Sequence, residues 1–190
     1  MSDLLLDSAR SHVRIHTFAE GLLARLAHDL ELVCGGLSGA ATRSGDDGAT
    51  TGTARLEAPL RDLAVNGVLG KDGRLDERAL SPGERHEILA KMQKEVFHSG
   101  PDGVVRVEAS LDGGRAHVRL FPPGGKGVEV VVEPELTADG EALRAVGTFE
   151  VSLSSIGSDV IKAPMGAFRV KDRVRVSFDV VFAPPPAQPA

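Results

Sequence analysis

The chain has no tryptophan and no tyrosine, and its aromatic side chains are seven phenylalanines. That removes most of the ring platforms on which single-stranded nucleic acids stack. A single cysteine, Cys34, excludes an internal disulfide and any multi-cysteine metal knuckle. Net charge is -5 and the pI is near 5.7, so no basic footprint invites nucleic acid or anionic lipid surfaces. No apolar run approaches the ~18 residues that a membrane-spanning helix needs. The opening residues, MSDLLLDSARSHVRIH, lack a basic segment followed by a sustained apolar one, so a cytoplasmic protein without membrane insertion is expected. Gly-x-Ser-x-Gly, phosphate-loop and His-Glu-x-x-His motifs are missing too. Gly124-Gly-Lys-Gly127 lacks phosphate-loop spacing and reads as a turn.

What is present is alternation. Over residues 143–153, Leu143, Ala145, Gly147, Phe149, Val151 and Leu153 share one parity; over 174–182, Val174, Val176, Phe178, Val180 and Phe182 do the same. Side chains on a strand point alternately to opposite faces, so each segment is a strand with one apolar and one wet wall. Further strands are expected at 11–18 (the opening strand), 30–36, 50–58, 104–111, 115–121 and 127–136. A short helical turn is expected within 20–30, and a turn at 43–48. Asp112-Gly-Gly114 is a tight hairpin signal. Periodicity lapses over 61–81, which predicts a long loop or irregular crossover. Ser81, Pro82 and Glu84 form a capping-box start for one long amphipathic helix, with Ile88, Leu89, Met92 and Val96 on one face and an end near 98–101. The proline-rich residues 183–190 are expected to be a disordered tail.

About eight strands joined by short turns predict an all-β, closed antiparallel eight-stranded lipocalin-like barrel with one long and one short helix. Closure would remove the exposed edges of so large a sheet. Such a barrel is either filled by its side chains or holds one small ligand. Small inward candidates, Ala54, Ala109, Ala145 and Gly147, favour a cavity; a filled barrel serving as an interaction or assembly module is the alternative.

Several motifs, in order, resemble the YceI-like proteins. They are Asp7-x-x-x-Ser11, Ala27-His28-Asp29-Leu30 with Gly36 and Gly39, and Arg85-His-Glu-Ile-Leu-Ala-Lys-Met92 leading into 104–110. The most specific is the close: Phe149, Val151 and Leu153, then Ser155-Ile-Gly157, then MGAFRVKDRVRVSF at 165–178. The resemblance spans roughly residues 7 to 182 and implies a single barrel domain over 1–182. It departs at 115–124, RAHVRLFPPG, where the family has Leu-Thr-x-x-Gly, and at Arg10, where a histidine usually precedes the serine. The family is associated with long-chain amphiphiles. The resemblance therefore implies non-enzymatic binding or carriage of a polyisoprenoid, isoprenoid quinone or fatty-acid-like chain, with no cofactor and no nucleic-acid partner; a homodimer is left open.

The ligand-contacting residues so implied are His28, Leu30, Leu32, Leu56 and Val107 on early and middle strands, and Ile88, Leu89 and Met92 on the helix. Phe149, Val151, Val176 and Phe178 join them from the final pair, and Met165 and Phe168 from the excursion at 154–168. No catalytic or metal-ligating residue is expected. His12 and His16, four apart on a strand, lie ~13 Å apart, too far to share a metal. His28 beside Asp29 could serve a hydrolase or cyclase, a less favoured alternative because neighbouring strand residues point oppositely. Lys171, Arg173 and Arg175 read as a solvated outer face that could greet a diphosphate at a barrel rim.

Overall fold

The computed structural model describes residues 2–20, 29–44, 51–159, 161 and 169–185. In chain order the elements are β1 (Ser2–Leu6), β2 (His12–Thr17), β3 (Ala19–Glu20), β4 (Asp29–Cys34), β5 (Ser38–Ser44) and β6 (Thr51–Pro59). A 3-10 turn, Leu60–Asp62, leads to β7 (Leu63–Leu69), β8 (Leu75–Asp76) and helix α1 (Pro82–Glu95). Then come β9 (Val104–Asp112), β10 (Arg115–Phe121), β11 (Val128–Val132), β12 (Glu135–Asp139), β13 (Ala142–Ser152), β14 (Arg169–Val170) and β15 (Arg173–Ala183).

Thirteen of these strands form one antiparallel sheet, and β3 with β14 makes a separate two-residue ribbon. The organising strand is β15. One edge pairs along ten residues with β13, from Leu143 opposite Phe182 to Ser152 opposite Arg173. The other edge is divided between β2, which takes residues 175–179, and β1, which takes Phe182 and Ala183. From β1 the sheet runs through β5, β6, β9 and β10 to β11; from β2 it runs through β4 and β7 to β8. The sheet curls into a half-barrel. Among the described residues no ladder joins β11 to β13, so the expected closed, eight-stranded ring is corrected to a strand-rich, curled, open sheet.

Three further expectations change. The predicted opening strand at 11–18 is β2, and β1 precedes it. β1 carries Leu4, Leu5 and Leu6 in succession, which shows no period, yet Leu4 is buried while Leu5 is 46% exposed. The predicted loop at 61–81 contains β7 and β8. Its periodicity is broken because Glu31 pairs with Gly67 while the next residue, Leu32, pairs with Val65, leaving Asn66 as a bulge. Parity therefore switches, so Leu63 and Val65 before the bulge and Val68 after it all meet the same core. The predicted strand 127–136 is two strands, parted at Glu133-Pro134. Proline has no N–H for a ladder; the chain pairs with β10 before the break and with β13 after it.

Of the stretch 20–30 expected to hold a short helix, Glu20 belongs to β3 and Asp29 and Leu30 to β4, while 21–28 lie outside the described residues, as do most of the 43–48 turn, much of the 154–168 excursion and residues 186–190. Ala183, the first residue of the expected tail, ends β15.

Helix α1 begins as predicted. The Glu84 amide donates to Ser81 Oγ, and the Ser81 amide donates to the Glu84 carboxylate at 2.8 Å. It ends at Glu95, before the expected 98–101. The β9–β10 hairpin closes on Gly113 and Gly114, both at positive φ (55° and 81°), the two-residue turn that suits strand twist. No helix among the described residues is long and apolar enough to cross a membrane.

Candidate functional site

The curled sheet places one side-chain parity of every long strand inside. On β2 these are Val13, Ile15 and Thr17; on β6, Ala54, Leu56 and Ala58; on β9, Val105, Val107, Ala109 and Leu111. On β13 and β15 they are Leu143, Ala145, Phe149, Val151, Val174, Val176, Phe178 and Val180. Together they enclose a cavity of about 540 Å³, within the range of small-molecule sites.

The walls are almost wholly apolar. Polar side chains reach them at Thr17, Thr42, Thr51, Thr53, Arg43 and Lys91, and the Thr42 and Thr53 hydroxyls bond each other at 2.9 Å. The strand registers put Arg43, Thr51 and Leu111 at one end, beside the β9–β10 hairpin. Phe18, Ala19, Leu30, Val170 and Val174 lie toward the other, at the start of β15. Helix α1 contributes Ile88, Lys91 and Met92 to the wall, and Val96 follows at its C-cap. The side chains around that end, including Leu60, Leu63, Val151, Ile156 and Val174, form the largest apolar cluster.

Of the residues expected to touch a ligand, Leu30, Leu56, Ile88, Met92, Val107, Phe149, Val151, Val176 and Phe178 line the cavity. Two do not. Leu32 has no exposed surface and is packed in the core behind the wall, and Leu89 packs against that core without reaching the wall. His28, Met165 and Phe168 lie outside the described residues. The reading missed Val13, Ile15, Cys34 and Val118, although the parity of their strands signals the first two.

The small inward residues divide in their effect. Ala54, Ala109 and Ala145 border the cavity. Gly147 instead receives a ring: a Cβ there would stand 2.5 Å from Phe178 Cζ. Phe178 and Phe149 meet with centroids 6.2 Å apart, a tilted pair on the same wall.

Titratable chemistry inside the cavity is sparse. Burial pushes the Cys34 thiol up to about 11, the reverse of an activated nucleophile. Among the described residues the tighter of two His–carboxylate pairs lies on the opposite face of the sheet. There His16 Nε2 donates to Glu31 Oε2 at 2.9 Å and Asn66 Nδ2 to Glu31 Oε1 at 2.7 Å. Burial raises the Glu31 carboxyl, but the bonds from Asn66 and His16 outweigh it, and the net position is below its ordinary value. Among the described residues no group of three His, Cys, Asp or Glu is placed to hold a metal.

No protein-family model matches the sequence, and no curated protein matches it. Among solved structures, the crystal structure of Burkholderia cenocepacia BcnA superposes with a TM-score of 0.58 over 93% of this chain and 98% of that one, at 15% identity. The chain is thus similar to BcnA in fold, and the likeness supports a lipocalin-like, β-barrel type of architecture along nearly its whole length.

Proposed function

We propose that the protein binds or carries an elongated apolar lipid, a polyisoprenoid, isoprenoid quinone or fatty-acid-like chain, without transforming it. The observation that carries this reading is the cavity of about 540 Å³ with an almost unbroken apolar wall. Binding there is driven by removing hydrocarbon from water, at ~25 cal/mol per Å² before ordering costs, and needs few polar contacts. It tolerates variation in the exact chain. Two arguments favour carriage over catalysis. The thiol in the wall is held protonated, and the histidine–glutamate pair faces away. The cavity also speaks against a side-chain-filled barrel acting only as an interaction module. A full barrel-like enclosure of the ligand, with β11 drawn towards the β12–β13 pair, belongs to the same proposal.

The test is mass spectrometry of an organic extract of the purified protein, beside native mass spectra of the intact chain. A long-chain lipid or quinone at one per protein is expected, recovered unchanged. Cys34 supplies a second readout, because it lines the cavity: its alkylation slows when the lipid is bound. No lipid in the extract, and none taken up after incubation with fatty acids and prenyl diphosphates, would overturn the proposal.

A further inference from the structure

At the β15 end of the cavity the wall meets a pair of cations. Phe18 follows β2 and reaches the cavity. Its ring carries Lys171 Nζ and the Arg175 guanidinium, each 5.8 Å from the centroid. The Lys171 amide donates to the Phe18 carbonyl at 2.7 Å, which ties the lysine to this rim. Both cations are exposed.

Their neighbours are otherwise engaged. Arg169 holds Glu20, Arg173 holds Glu150 at 3.5 Å, and Asp172 accepts from the Ser154 amide at 2.8 Å. Among the described residues neither Lys171 nor Arg175 has a carboxylate within ion-pair distance, and both lie over the ring face. A solvent-exposed cation is held only weakly by a ring face. An oxyanion would offer both of them a charge-assisted hydrogen bond.

We infer that Phe18, Lys171 and Arg175 receive the anionic head of an amphiphile whose chain fills the cavity, so that the natural ligand is a long-chain acid and not a neutral lipid. This rests on the lipid-binding reading and adds the headgroup class and its end of the cavity. The chain runs past Thr17, Phe18 and Val170 to the rim, and its carboxylate or phosphate emerges between the two side chains. The opposite end is less suited. Among the described residues that line it, Arg43 is its one cation, against two at the β15 rim.

The experiment is calorimetric titration of the full chain with oleic acid and with oleyl alcohol, which share a tail and differ in charge. It is repeated for the K171Q/R175Q double variant and for Arg43→Gln, with acetate as the control that has the anionic head and no chain. The wild-type protein is expected to prefer the acid by about tenfold, the worth of one charge-assisted contact. The double variant should lose that preference while binding the alcohol as before, which also shows that it folds. Arg43→Gln, which changes the wall at the other end, should leave the preference for the acid intact whatever it does to the affinity for both ligands, and acetate alone should not bind. Equal affinity for acid and alcohol, a loss shared by both ligands in the double variant, or a loss of the acid preference in Arg43→Gln would overturn the headgroup assignment while leaving the lipid reading standing. Binding of neither long-chain ligand to the wild type would overturn both.

Discussion

Glu31 shows how a single residue escapes a sequence reading. It alternates with Leu30 and Leu32, so its parity marks a wet face, yet it is only 7% exposed. Its partners, His16 and Asn66, stand 15 and 35 positions away, and Asn66 arrives only because β7 bulges there. No local pattern announces such a meeting. The consequence is a pH dependence with a definite sign. A carboxylate held below its unfolded value stabilises the fold above that value, near 4.5, and the contribution fades as pH falls through the folded value. Glu31→Gln should therefore flatten the acid limb of a stability–pH curve as pH falls below about 4.5, as followed by urea unfolding; an unchanged limb would show that the pair adds nothing. Gly147 teaches the converse. Its place in the alternating run is legible, but its purpose, space for the Phe178 ring, is a cross-strand fact. Gly147→Ala is expected to swing that ring toward the cavity, costing about 1 kcal/mol in stability and weakening lipid binding, which thermal melts and titration would separate.

The elements that could be read in advance are those whose signals are local. The capping box of α1, the two glycines of the β9–β10 hairpin and the parity of β13 and β15 all lie within a few residues of what they determine. The elements misread depend on partners elsewhere. β1 is five residues with three adjacent leucines, β7 changes parity at its bulge, and β11 and β12 look like one strand until their different neighbours are known. The seating of α1 is of the second kind. Arg85 reaches back from the first turn and donates to the carbonyls of Val65, Asn66, Glu77 and Leu80, clamping the helix to β7 at the bulge. Four carbonyls around one guanidinium use its planar fork, which lysine lacks. Arg85→Met is expected to cost about 2 to 3 kcal/mol, with Arg85→Lys only partly restoring it, measured as shifts in the urea midpoint. A variant as stable as the parent would mean that the apolar face of α1 suffices to seat it.

For the molecule as a whole, the inward parity of the long strands, read from the sequence, accounts for most of the cavity wall and for seven of the nine expected residues that line it, Ile88 and Met92 coming from α1. The count of strands and the closure of the ring were not legible, because they depend on which edges meet, and β15 meets three strands. The outer surface shows the same cooperation: Arg55, Glu108, Arg119 and Glu129 are successive cross-strand neighbours on β6, β9, β10 and β11, an alternating row of charge that no single strand reveals. The position of β15 also has a consequence in time. During synthesis β1, β2 and β13 leave the ribosome before residues 173–183, and each must wait for the last strand to pair with it. Until then their unpaired edges are open to other chains. Pairing across nearly the full length of the sequence is intrinsically slow. This sheet is therefore completed only after residues 173–183 have emerged, and the interval before β15 docks is when the nascent protein is most in need of a chaperone.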